Sequence, residues 1–126
     1  MIKSGFKALK VYRLSYSLAM RIFNESKTFP AEEKYSLTDQ IRRSSRSVCV
    51  NISEAYRKRI YPAHFKSKMT DADAECSETL VWLDFAFDCD YLDKVSNKEI
   101  LEGYNQVGKM IGFMVKNPEK FEPKSD

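Results

Sequence analysis

Glycine and proline are scarce, with four of each in 126 residues. Tight reversals depend on these two residue types. A many-stranded sandwich or barrel, which turns every eight to twelve residues or so, is therefore not expected. Long apolar runs are also missing. The longest, Met110 to Val115, has six residues, far short of the roughly 20 that cross a bilayer as a helix. The opening MIKSGFKALK has no long apolar stretch behind its charges, so no secretory signal is expected. Cysteine is limited to Cys49, Cys76 and Cys89. An odd number, widely spaced and without a CxxC pair, reads as reduced packing thiols in a cytoplasmic protein.

The residues that usually carry chemistry are equally sparse. The single histidine, His64, follows Pro62 in a turn and reads as an ordinary surface residue. Without a second histidine or a cysteine pair, no zinc site is expected. The dense carboxylates Asp71, Asp73, Glu75 and Glu78 lack the Glu-x-x-His pair of di-iron bundles. No GxxxxGK[ST] loop exists, and no strand precedes a glycine-rich turn, so neither nucleotide fingerprint applies. Cys49 would need a base to become a nucleophile, and His64 lies in another helix. No catalytic residue, metal or cofactor is expected, and an enzyme ranks last among the functional readings.

Apolar residues make up 43% of the chain and charged residues 31%. That balance is globular, and the length suits one domain over residues 1–126, with a frayed tail from about residue 118. The net charge of +3 conceals a segregation. Residues 37–68 carry +6 and residues 69–102 carry −8. Such blocks suggest complementary surfaces, within one molecule or between copies.

Hydrophobic periodicity predicts four helices. The first runs roughly from Ala8 to Ser26 on Val11, Leu14, Leu18 and Ile22, and Pro30 stops it by forcing Phe29 out of the helical region. The second opens at a capping-box pattern, Ser36 to Asp39, and ends before Pro62. Its core line is Leu37, Ile41, Val48, Ile52 and Ala55. The third spans about Ala63 to Tyr91 on Phe65, Met69, Ala72, Cys76, Leu83 and Phe87. The fourth opens at a second capping-box pattern, Ser96 to Glu99, and carries Ile100, Tyr104, Val107, Ile111 and Met114 until Pro118. Four amphipathic helices with short connections predict an all-α fold, an antiparallel four-helix bundle. On the fourth helix, Gly108 and Gly112 form a GxxxG spacing that suggests a close backbone approach.

The third helix has a second apolar face of Val81, Phe85 and Cys89, with Trp82 at its edge. One buried face suffices for a bundle, so a second one needs another cover. Either it is a subunit interface, or the N-terminal segment with Phe6 and Leu9 folds over it. The second helix carries a polar stripe beside its core line: Gln40, Ser47, Asn51, Glu54 and Lys58. We read Gln40, Ser47, Asn51 and Glu54 as structural polar groups at a helix contact. Arg42, Arg46 and Arg57 share an outward face with Arg43 nearby, and Lys58, Arg59, Lys66 and Lys68 extend the charge around the turn. Basic clusters attract phosphate backbones by counterion release. They also attract acidic partner subunits, and the acidic third helix offers such a partner. No interleaved aromatic platform accompanies this patch in the sequence.

The run FPAEEKYSLTDQIRRSSRSVCVNISEAYRKR, Phe29 to Arg59, closely resembles the four-helix bundle family of 23S rRNA intervening-sequence proteins. FKALKVY at Phe6–Tyr12, the segment FKSKMTDADAECSETLVWLDFAFDCDYL and the NPEKF tail extend the resemblance over nearly the whole chain. Its most specific part combines Phe29-Pro30, Glu33, Gln40, Arg42-Arg43, Ser47, Asn51-Ile52 and Glu54. Two positions depart from the family pattern: Ala55 stands where glycine is usual, and Asp71-Ala72 stands where Gly-Ser is usual. The resemblance implies a bacterial, ring-shaped homopentamer. A related accessory protein of diversity-generating retroelements is a similar pentamer that binds nucleic acid and a reverse transcriptase, so RNA or nucleoprotein binding follows by analogy.

The leading expectation is a non-enzymatic, cytoplasmic, oligomeric helical module. Arg42, Arg43, Arg46, Arg57, Lys58 and Arg59 would engage RNA or DNA, or an acidic protein, and Val81, Trp82 and Phe85 would form the subunit interface. The alternative is a protein-binding scaffold whose arginines pair with carboxylates of neighbouring subunits. No membrane partner is expected.

Overall fold

The computed structural model describes residues 5–123; the first four positions of the opening segment and the last three of the tail lie outside them. Four helices form the fold: α1 (Lys10–Ser26), α2 (Asp39–Arg57), α3 (Pro62–Asp88) and α4 (Lys94–Lys116). No strand occurs among the described residues. The helices pack in cyclic order, α1 on α2, α2 on α3, α3 on α4 and α4 on α1. Neighbours are antiparallel, since the end of one meets the start of the next, as Ser26 meets Arg42 and Arg21 meets Glu99, so the all-α four-helix bundle is the fold.

The core follows the 3.6-residue period. Every residue of the α2 line and of the α4 line is buried, and Phe65, Met69, Ala72, Cys76 and Leu83 join them from α3. Phe87 is only half-buried, and Ala86 takes its place in the core. A small polar layer sits where α2 crosses α3: Ser44 and Thr79 are fully buried, and their hydroxyls are hydrogen-bonded at 2.8 Å. Small side chains at these positions allow the two helices to approach closely.

Helix ends depart from the capping-box expectations. A π-helical turn, Lys34–Thr38, runs straight into α2, so Ser36 caps nothing and its hydroxyl donates to Glu33 instead, at 2.6 Å. The α4 cap is Asp93, whose carboxylate accepts from the Ser96 N–H at 2.7 Å. That bond holds its pKa below the ordinary aspartate value, as expected where a carboxylate meets the orphan N–H groups of a helix start. Ser96 and Glu99 tie α4 to α1 through Glu25 and Arg21. At the end of α3, Asp90 adopts φ 64° and the Tyr91 N–H returns to the Ala86 carbonyl at 2.9 Å, a left-handed stop made without glycine. The segment expected to fray after Pro118 forms a 3-10 turn, Pro118–Phe121, and Phe121 stacks on Phe65 at 5.9 Å.

The close approach expected at Gly108 and Gly112 is found elsewhere. A Cβ at Gly112 would meet nothing within 4 Å, and one at Gly108 would only reach Asp73 at 4.0 Å. At Gly103 a Cβ would lie 2.5 Å from Leu18 Cδ2, so this glycine is what seats α1 on α4.

One core group lacks a partner. The Tyr104 ring is 1% exposed and its hydroxyl makes no hydrogen bond among the described residues. A buried hydroxyl without a bond loses its hydration for no return. Tyr104→Phe should leave stability unchanged or raise it by about 1 kcal/mol in urea unfolding. A loss of more than about 1 kcal/mol would mean the hydroxyl is bonded after all.

Candidate nucleic-acid and subunit interfaces

The inward line of α2 leaves its opposite face for charge. The structure divides the six basic residues of that face between two places. In the first turn of α2, Arg42 is half-buried: its Nε donates to Ser26 Oγ at 2.8 Å, and its guanidinium lies 4.8 Å from the Phe23 ring centre. Arg46, one turn on, lies 5.6 Å from the same ring. Two guanidiniums thus rest on one aromatic face of α1, within cation–π range. With Asp39, Arg43, Ser47 and Val50 they line a shallow groove. Arg43 is drawn to the far side of that groove, where it pairs with Glu75 at 3.5 Å and with Glu78, both on α3.

Arg57, Lys58 and Arg59 are three turns further along, about 16 Å from Arg46 by the helical rise. Arg57 and Lys58 are exposed. Arg59 folds back onto Tyr56, with its guanidinium carbon 3.9 Å from the ring centre and Nη1 donating to the Tyr56 carbonyl at 2.9 Å. Arg42, Arg46, Arg57, Lys58 and Arg59 form no ion pair among the described residues.

The polar stripe is less buried than a helix contact demands. Gln40 is half-buried and donates to the Tyr35 carbonyl at 3.3 Å. Asn51 donates to the Ser47 carbonyl of its own helix at 3.0 Å, and both residues are half-buried. Only Glu54 reaches another helix, through Lys68 of α3 at 2.7 Å, and it is exposed.

The second face of α3 is bare in the isolated chain. Val81 is 51% and Phe85 55% exposed. Trp82 is half-buried beside Phe85, with ring centres 6.1 Å apart, and its Nε1 donates to Glu78 at 3.1 Å. Phe6 and Leu9 do not cover this face. Phe6 packs on Tyr12 at 5.0 Å, and Leu9 lines an apolar groove with Met110, Phe113 and Phe121 at the other side of the bundle. A second apolar surface, not foreseen from the sequence, lies across α1 and α2: Tyr16, Met20 and Val50 are exposed around a hollow reaching Cys49.

Nucleophilic chemistry finds little support in these surroundings. Burial pushes the Cys49 thiol up to about 11 and the Cys76 thiol up to about 12, the latter aided by Asp73, so both stay protonated at neutral pH. No cluster of three metal-binding side chains occurs among the described residues. No helix there is long and apolar enough to cross a membrane.

Comparison with known proteins agrees with the fold. The description "23S rRNA-intervening sequence protein" belongs to the family that matches residues 7–112. A crystal structure of a protein of unknown function from the S23 ribosomal protein family of Bacteroides thetaiotaomicron superposes with a TM-score of 0.75 at 29% identity, covering 84% of this chain and 98% of that one. Among curated proteins none matches.

Proposed function

The chain belongs to the 23S rRNA-intervening sequence protein family, and from that premise we propose that it is a non-enzymatic, cytoplasmic bundle that assembles as a homopentameric ring and binds RNA phosphates through α2. The observation that carries the RNA reading is the Arg42–Arg46 pair. Both guanidiniums are positioned on Phe23, and neither has a carboxylate in ion-pair contact among the described residues. Positioned cations lose little side-chain entropy on meeting a phosphate, and arginine offers it a fork of donors. Each copy would neutralise only about two or three phosphates, so one copy binds weakly at physiological salt. Five copies raise the effective concentration, and a long strand benefits most.

The ring reading is supported by two different bare apolar surfaces, Val81/Phe85 on α3 and Tyr16/Met20 on α1. Head-to-tail rings require two unlike patches on each subunit. The number five is the one the family resemblance implies.

Fluorescence anisotropy tests the RNA reading with labelled strands of about 60 and about 8 nucleotides at several salt concentrations. The long strand should bind at least about tenfold tighter, largely regardless of sequence, and affinity should fall steeply with salt. Arg46→Glu combined with Arg42→Gln should abolish binding while the circular dichroism spectrum stays helical. Absence of wild-type binding at low salt would reject the reading. A second reading draws on Arg43, which the acidic face of α3 already holds. In it, Arg42 and Arg46 pair with carboxylates of a neighbouring subunit. Dissociation of the double variant into monomers would select it.

A further inference from the structure

The α2–α3 corner combines charge with exposed rings. Residues 55–70 contain five lysines and arginines and no Asp or Glu. Within this segment Tyr61 is 58% exposed, and His64 stands edge-on to its ring with centres 5.9 Å apart. Pro62 is the first residue of α3 and holds Tyr61 extended at φ −116°, ψ 93°. The backbone around it is fixed by hydrogen bonds: the Tyr61 N–H donates to the Lys58 carbonyl at 2.9 Å, and its carbonyl accepts from the Phe65 N–H at 2.9 Å. Phe65, 1% exposed, anchors the first turn of α3 in the core. The neighbouring Tyr56 ring is already occupied by Arg59. Tyr61 is therefore an aromatic side chain on a fixed backbone, more than half in solvent, next to the exposed Arg57 and Lys58.

We infer that this corner stacks an unpaired base of a single-stranded nucleic acid on Tyr61, while Arg57 and Lys58 meet the adjoining phosphates. Tyrosine offers a π-face to any base, and cations beside it follow the backbone; this pairing is how sequence-tolerant single-strand sites work. A duplex hides its base faces and can use only the charges. The inference rests on the RNA-binding reading above and adds a preference for unpaired strands that the α2 groove alone does not provide. From the sequence no aromatic platform is expected anywhere along the basic patch, the turn after Lys58 and Arg59 included. Here the turn places Tyr61 and His64 beside the basic end of that helix.

The test compares labelled oligoadenylate of about 20 nucleotides with the same strand annealed to oligouridylate, using the full chain. Wild type should prefer the single strand. Tyr61→Ala should weaken single-strand binding about tenfold and leave the duplex unchanged, and Tyr61→Phe, which keeps the ring, should restore it. Melting curves confirm that each variant folds, and His64→Ala gives an independent, smaller loss on the single strand. If Tyr61→Ala leaves both probes unchanged, or weakens both equally, the stacking site is rejected while the groove reading stands on the surviving wild-type binding. If Tyr61→Phe loses as much as Tyr61→Ala, ring stacking is likewise rejected. If wild type binds neither probe at low salt, both readings fail. Binding to phosphatidylserine vesicles that Tyr61→Ala abolishes, with single-strand binding intact, would reassign the corner to a lipid surface.

Discussion

Phe85→Glu should reduce the assembly to a monomer. Five copies of a 14.7 kDa chain give about 73 kDa by light scattering for the wild type, and the variant should give the mass of a single chain. The Phe85 side chain is 55% exposed in the isolated subunit and contributes nothing irreplaceable to the bundle core. Covered by a neighbour, it would contribute about 1.5–3 kcal/mol per interface by burial. A carboxylate in its place would be desolvated without a partner, at a cost of several kcal/mol. Closed rings repeat that loss at every interface, so a single substitution acts five times over. Helix content should persist, because the substitution leaves the buried stripe of α3 intact. Val95→Glu is the control: Val95 is 67% exposed at the start of α4 and lines neither hollow beside the apolar surfaces, and its change should leave the mass unaltered. A wild type that remains monomeric across micromolar concentrations would remove the ring from the proposal.

Phe65→Ala should cost about 3–5 kcal/mol in urea unfolding, a large fraction of the roughly 5–15 kcal/mol that holds a domain of this kind. Phe65 is 1% exposed, stacks on Phe121 at 5.9 Å, and through Phe121 reaches Phe113 at 6.3 Å. Truncation removes the ring's burial and leaves a cavity where α3 begins, and the bundle cannot collapse into it without moving the turn Pro118–Phe121. Phe121→Ala, at a half-buried position, should cost less. A Phe65→Ala variant within about 1 kcal/mol of wild type would show that this end of the bundle is loosely packed. The same variant should also weaken single-strand binding if the Tyr61 corner depends on its anchor.

The stripes on α2 and α4 were legible in the sequence because helical periodicity is local. Ile41, Val48 and Ile52 must share a face once the chain is helical, whatever lies opposite. The helix ends were less legible. Ser36 and Ser96 both head capping-box patterns, yet neither is a cap. In one case a π-helical turn continues the helix past the expected start; in the other Asp93 claims the N–H groups first. The candidate basic face was readable only as composition. Arg42, Arg43 and Arg46 look alike in the sequence. Ser26 and Phe23 of α1 hold the first, Glu75 and Glu78 of α3 draw off the second, and Phe23 steadies the third.

By itself, the sequence determined four amphipathic helices, the apolar stripes of α2 and α4 and the segregation of charge, since each depends on spacing within a few turns of one helix. The tertiary structure decided which arginine is drawn into an ion pair and which is not among the described residues, which glycine admits a neighbour, and which apolar side chains remain uncovered. Those outcomes rest on contacts between residues tens of positions apart: Arg42 with Ser26, Arg43 with Glu78, Gly103 beneath Leu18. No periodicity encodes them, because the partner of a side chain is set by how two helices cross and not by its own place on one.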